Sequence, residues 1–153
     1  MRKNILILCM AFLFQGCVSA SIPHYLKDDF PYKKEFLAGY SDTLRATEQA
    51  LKELGWKIGQ TSKPAVYEQD SVSQQDADQE VLIFTSIRQT AMFLGTRYSK
   101  MNIYVRKVSQ GTEVEIRYIT VTSTIFKAFE NYQNEGAAKK VLEHIEKALQ
   151  LNP

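Results

Sequence analysis

Thiols are nearly missing from this 153-residue chain: it holds two cysteines, Cys9 and Cys17, and none after position 17. A disulfide, a cysteine-rich zinc site and a cysteine nucleophile are therefore excluded from residues 18–153. Any domain there must be held by its own apolar core. Histidine is almost as scarce. His24 and His144 have no cysteine partner and no paired spacing, whereas zinc asks for three or four convergent ligands. No G-x-S-x-G elbow and no glycine-rich phosphate loop occurs. A scattered Ser–His–acid triad stays open, with His144 as its histidine, but no catalytic set can be named. The expectation is a protein that is not an enzyme, with no metal and no cofactor.

Excess charge is missing too. The chain has 19 Lys+Arg against 17 Asp+Glu, a formal +2. Residues 1–16 contain Arg2, Lys3 and no acid, so removing those two bases leaves 17 of each sign. A neutral chain offers no electrostatic case for nucleic-acid binding, which rests on neutralising phosphates.

What is present begins with a leader. Arg2 and Lys3 precede an apolar run from Ile5 to Phe14, followed by Gln15 and Gly16. A basic start, a short apolar core and a small-residue exit form the layout of a secretory signal. The core is far short of the roughly 20 apolar residues of a membrane-spanning helix, and no later run approaches that length. The stretch Leu13-Phe14-Gln15-Gly16-Cys17 resembles the lipobox of bacterial lipoproteins, with Phe14 where the family prefers Leu. The resemblance implies that Cys17 receives a diacylglycerol and becomes the new N-terminus, so that the membrane is reached through an N-terminal lipid. Val18 stands where an aspartate would retain such proteins at the inner membrane, which implies the outer membrane, facing the periplasm. The alternative is an ordinary signal peptide cut after Val18-Ser19-Ala20.

Residues 1–16 are thus expected as signal peptide, 17–31 as a lipid-anchored tether and 32–153 as a single domain. Pro23, Asp28-Asp29 and Pro31 interrupt any period in the tether, which could extend about 45 Å; Tyr25 and Phe30 are the residues able to dock it. A first strand is expected over Lys33–Gly39. Ser41 then reads as an N-cap, and Leu44, Thr47, Leu51 and Leu54 follow at helical spacing. Gly55 is placed to end that helix in a left-handed conformation, with Trp56 folding back. Trp56–Gly59 begins a second strand, and Ala65–Tyr67 reads as a short continuation. Residues 68–80 are acidic and read as a solvated loop.

Three longer strands follow, over Val81–Arg88, around Met101, Ile103 and Val105, and around Val114, Ile116 and Tyr118. Gln110-Gly111 is a hairpin turn between the last two. Thr124–Tyr132 reads as a helical turn or a hydrophobic loop, with Phe126 and Phe129 as its apolar residues. Asn134 is placed to cap a final helix whose stripe is Val141, Leu142, Ile145, Ala148 and Leu149. The expected class is α+β: an antiparallel sheet of about five strands with two helices packed on one face. The run SDTLRATEQALKELGWKI (residues 41–58), the later GTEVEIRYI and the closing helix resemble small bacterial lipoproteins of uncharacterised family. More distantly they are similar to the helix-grip domains of the lipoprotein C subunit of the β-barrel assembly machine. That resemblance implies no catalytic residues.

Two groups of polar residues invite a functional reading. Glu113 and Glu115 share a strand face and could do acid–base work, but Arg117 continues that face and Arg106 lies across the hairpin, so cross-strand ion pairs explain them better. Arg88, Arg97 and Lys100 flank Ala91-Met92-Phe93-Leu94-Gly95. Read as function, Met92, Phe93 and Leu94 form an apolar tip with a basic collar, suited to a membrane surface or an envelope protein partner. Read as structure, they tuck under the sheet while the basic groups snorkel outward, and this is the expectation adopted. The expected function is a lipid-anchored envelope protein with an interaction or structural role; a small apolar ligand held between sheet and helix is the alternative.

Overall fold

The computed structural model describes residues 21–68, 79–124, 127–131 and 135–151. Cys17 and the whole lipobox-like stretch lie outside the described residues, as do 69–78 of the acidic segment, Phe126 and Asn134. The elements are β1 (Tyr32–Phe36), α1 (Tyr40–Glu53), β2 (Ile58–Ser62), β3 (Glu80–Thr85), β4 (Arg88–Met92), β5 (Gly95–Val108), β6 (Gly111–Thr124), β7 (Ala128–Asn131) and α2 (Glu135–Leu151), with a 3-10 turn at Pro64–Val66. All strand pairs are antiparallel within one seven-stranded open sheet. The class is α+β, as expected. The two extra strands are β4, inside the Arg88–Lys100 segment, and β7, where a helical turn or loop is expected from the sequence.

At the centre lies the β5–β6 hairpin, paired without a break from Gly95↔Thr124 to Val108↔Gly111. Each strand has 14 residues, so the ribbon is about 45 Å long before twist is allowed for. The helices, of 14 and 17 residues, are only about 21 and 26 Å long. They cannot cover the whole ribbon. The molecule is therefore a body, where β3 and β1 flank residues 102–106 and 112–116, and an extension, where β4 and β7 flank residues 95–99 and 120–123.

The apolar face changes sides between the two halves. In the body, Met101, Ile103, Val105, Val114, Ile116 and Tyr118 point at the helices and join a core of 16 buried residues with Leu51, Trp56, Val141 and Ile145. Past Tyr118 the helix-side positions become Ser99, Thr120 and Thr122, and the buried apolar residues are Ile119 and Val121, on the outer face. What covers that outer face is chain 22–26. Leu26 is fully buried against Ile119 and Val121, with Ile22 and Tyr98 packed alongside. The stretch expected to be a tether is thus laid on the sheet over these residues, with Tyr25 docked and Phe30 78% exposed.

Polar contacts hold this segment in place. The Leu26 N–H donates to Asn102 Oδ1 at 2.6 Å, and the Lys100 ammonium donates to the Pro23 and His24 carbonyls at 3.0 and 2.7 Å. His24 stacks on Phe84 and Tyr25 on Tyr67. Ala65 and Val66 accordingly belong to the 3-10 turn and Tyr67 follows it, its ring closing over Phe84, so 65–67 are not a continuation of β2.

Local signals account for the helix ends. Gly55 has φ +71°, and the Gly55 and Trp56 amides donate to Lys52 and Leu51 at 3.0 and 2.8 Å, the paired bonds of a Schellman motif. At the other end Gly39 occupies the cap and Ser41 sits inside the first turn, so the expected serine cap is not used.

Leu26→Ala is expected to destabilise the protein by about 2–5 kcal/mol, the usual cost of emptying a buried leucine site, read by urea denaturation. A loss under about 0.5 kcal/mol, as for an exposed site, would show that 22–26 does not belong to the core.

Candidate functional site

Met92 pairs with Gly95, which leaves Phe93-Leu94 as the two-residue turn of the β4–β5 hairpin. A side chain at Gly95 would meet the Ser123 carbonyl oxygen at 2.1 Å, and its φ is +156°, so glycine is needed where β6 closes on the turn. The tip belongs to none of the buried clusters of the described residues. Met92 is 43%, Phe93 99% and Leu94 56% exposed. The expectation that these residues tuck under the sheet is overturned; they stand in solvent.

The basic collar is also redistributed. Lys100 is buried on the outer face and spends its charge on the Pro23 and His24 carbonyls; burial holds its pKa below the ordinary lysine value. It is a clamp on the N-terminal segment and does not belong to the collar. Arg88 lies on the helix side, its guanidinium 4.0 Å from the Trp56 ring centre and donating to the Leu54 carbonyl at 2.6 Å. That bond satisfies a carbonyl at the end of α1 and ties the extension to the body. Arg97, opposite Thr90, is exposed on the same side.

Arg88 and Arg97 form one wall of a cleft of about 530 Å³, between the helix-side face of β4–β5, the end of α1 and the start of α2. Lys140 contributes a third cation from α2, and among the described residues no acidic side chain lines the cleft. None of the three cations has a carboxylate partner among the described residues. The α2 N-terminus at Gly136 and Ala137 also lines it, and its dipole adds to the positive potential. At the floor, Ser99 is 7% exposed and its hydroxyl bonds to no described residue. Beside it Thr120, its cross-strand neighbour, carries a buried hydroxyl without a partner. Polar groups left open next to uncompensated cations suit an anion. A groove at the opposite end, about 640 Å³, presents both signs of charge, and its Lys34 already bonds Glu146 at 2.9 Å.

Lys140 was hidden from sequence reasoning because its spacing on α2 marks only a solvated position. Arg88 and Arg97 could be found as basic residues, but not as neighbours on one face.

The outer-face charges are structural. Arg117 Nη2 meets Glu115 and Glu68 at 2.6 Å each, and Lys33 meets the other oxygen of Glu115 at 2.8 Å. Arg117 also donates to Tyr25 Oη, which donates to Glu68 at 2.5 Å, and Arg106 pairs with Glu113. Burial disfavours the Arg117 charge, but Glu115 and Glu68 outweigh it and hold its pKa above the ordinary arginine value. Burial and Glu80 push the Tyr104 phenol up as well. Glu113 and Glu115 are thus spent in ion pairs. Of the histidines, His24 stacks on Phe84 and His144 bonds Glu53 at 3.1 Å on the far side of the sheet.

No protein-family model matches the chain, and no curated protein matches it in sequence. No helix among the described residues is long and apolar enough to cross a membrane.

Arg117→Met is expected to cost about 1.5–3 kcal/mol, the range for lost hydrogen bonds to charged groups, because it takes the cation from Glu68 and leaves the nearly inaccessible Glu115 carboxylate with Lys33 alone. Adding Glu115→Gln should recover part of the loss in the same urea titration. Equal stability of the single variant and the parent would rule out the network as a fastening for residues 25–26.

Proposed function

We propose that this chain is a lipid-anchored protein of the cell envelope, without enzymatic activity, whose role is to bind other envelope components. Cys17 is the acylated residue in this reading, and Val18 places the protein at the outer membrane, facing the periplasm. The observation that carries the interaction role is the Met92-Phe93-Leu94 tip, with Phe93 99% exposed. An apolar cluster held out at the turn of a hairpin is costly to leave in water and marks a contact surface. The likeness to small envelope lipoproteins is in keeping with it.

A small apolar ligand between helices and sheet is the weaker reading, since the cleft there carries Arg88, Arg97 and Lys140. Trp56, Leu51, Met101 and Ile145 are at most 7% exposed and fill that space together with Leu142.

Cys17→Ala should abolish incorporation of a fatty-acid probe and release the chain from the membrane fraction. Retention of both would refute the anchor. Phe93→Asp should leave the melting temperature within about a degree, since an exposed site contributes little to stability, while it removes contacts captured by crosslinking in intact cells. A clearly lower melting temperature would show that the tip is structural.

A further inference from the structure

The docked N-terminal segment reaches the extension. The Leu26 N–H donates to Asn102, the His24 carbonyl accepts from both Asn102 and Lys100, and Ile22 packs on the cluster of Leu26, Ile119 and Val121. The chain before Ile22 therefore leaves from the outer face of the extension, the half of the sheet that carries the β4–β5 turn. Cys17 is five residues before Ile22 and can extend at most about 17 Å beyond it. The Phe93-Leu94 tip is four to five residues beyond Tyr98, about 15 Å along the same axis. A lipid on Cys17 can thus reach the level of the tip.

We infer that the hairpin is a second membrane attachment: Met92, Phe93 and Leu94 enter the leaflet that carries the lipid, and the Arg88–Arg97–Lys140 cleft takes phosphate groups of its anionic headgroups. The inference deepens the proposed function and takes the anchor's position from it, although the binding chemistry does not need the anchor. Spacing supports the depth. The Arg97–Thr90 pair stands two residues behind Met92–Gly95, and Arg88–Ser99 two further, about 7 and 13 Å from the tip base. Interfacial apolar groups sink about 5–10 Å into the headgroup and acyl boundary. With the tip at that depth, Arg97 meets the phosphate layer and the cleft opens onto it.

A free tether of residues 17–31 would let the domain face any direction. A tether shortened by docking at Ile22 presents this end of the sheet to the bilayer. Lys127, close to the exposed Phe129 ring at 5.4 Å, adds a cation and an aromatic at the same end. Glu130 and Glu135 are the acids on β7 and at the start of α2, and neither lines the cleft.

The mature domain has no thiol, so Phe93→Cys offers a unique site for an environment-sensitive nitrobenzoxadiazole label. The purified full chain is placed in nanodiscs of phosphatidylglycerol or of phosphatidylcholine, and mass spectrometry reads acylation independently. A several-fold emission rise with a blue shift is expected in phosphatidylglycerol. The same label on Leu37→Cys, 91% exposed at the opposite end, should stay water-like. Arg97→Glu with Lys140→Glu should abolish the rise at unchanged melting temperature. An acylated chain whose residue 93 stays water-like in phosphatidylglycerol overturns the second attachment while leaving the anchor intact. Mass spectrometry that finds Cys17 unacylated overturns the anchor instead, and the hairpin is then tested by itself with added phosphatidylglycerol vesicles in a chain carrying Cys9→Ala and Cys17→Ala, so that residue 93 alone is labelled. Trp56, the sole tryptophan, reports on the cleft. Its emission should respond to phosphatidylglycerol; a response to inorganic phosphate alone, with residue 93 in water, would assign the cleft to a free phosphate ligand and refute the proposal. So would crosslinks from residue 93 to protein only.

Discussion

A β-hairpin longer than the helices available to cover it is the constraint from which the rest of this architecture follows. Two 14-residue strands pair along their whole length, and helices rising about 1.5 Å per residue cannot shield strands rising about 3.4 Å. Half of the ribbon must then be covered by something else, or have its helix-facing side chains made polar. Both occur. Ser99, Thr120 and Thr122 replace apolar residues on the helix side of the extension, and Ile119 and Val121 carry the hydrophobic surface to the outer face, where Leu26 seals it.

The cleft is a by-product of that mismatch. Where α1 ends and α2 begins, the sheet continues, and the step between them is lined by the polar half of the ribbon. Trp56 stacked beneath Arg88 closes the step from the body side, while the Leu54 carbonyl fixes the guanidinium. A cation anchored by a neutral carbonyl and an aromatic face keeps its full charge available, unlike one spent on a carboxylate. Arg106 and Arg117, on the outer face, show the contrast: each is neutralised by a glutamate and serves to hold the sheet together.

Much of the body was legible from periodicity. The α1 stripe, the Gly55 stop, the alternation around Ile103 and Ile116, and the α2 stripe each read directly, because these segments alternate buried apolar residues with polar or charged ones at the period of their element. The same logic failed in the extension, where the alternation changes phase. The adjacent apolar pair Tyr118-Ile119 is the visible mark of that change, since two neighbours on a strand cannot face the same side. β4 and β7 were missed because Thr90, Ala91, Ala128 and Glu130 carry little alternating hydrophobicity; these short outer strands form by pairing with an existing edge.

Composition and local pattern by themselves determined the thiol-free domain, the α+β class and the identities of the helices, because these rest on residues a few positions apart. Only the tertiary structure decided which residues became a site. Lys100 became a clamp, Lys140 joined Arg88 and Arg97 across a cleft, and Phe93 was left in water, because each outcome depends on where distant elements end in space. Charge and exposure at a position are set by what lies across from it, and that neighbour is chosen by the lengths of strands and helices rather than by the residue.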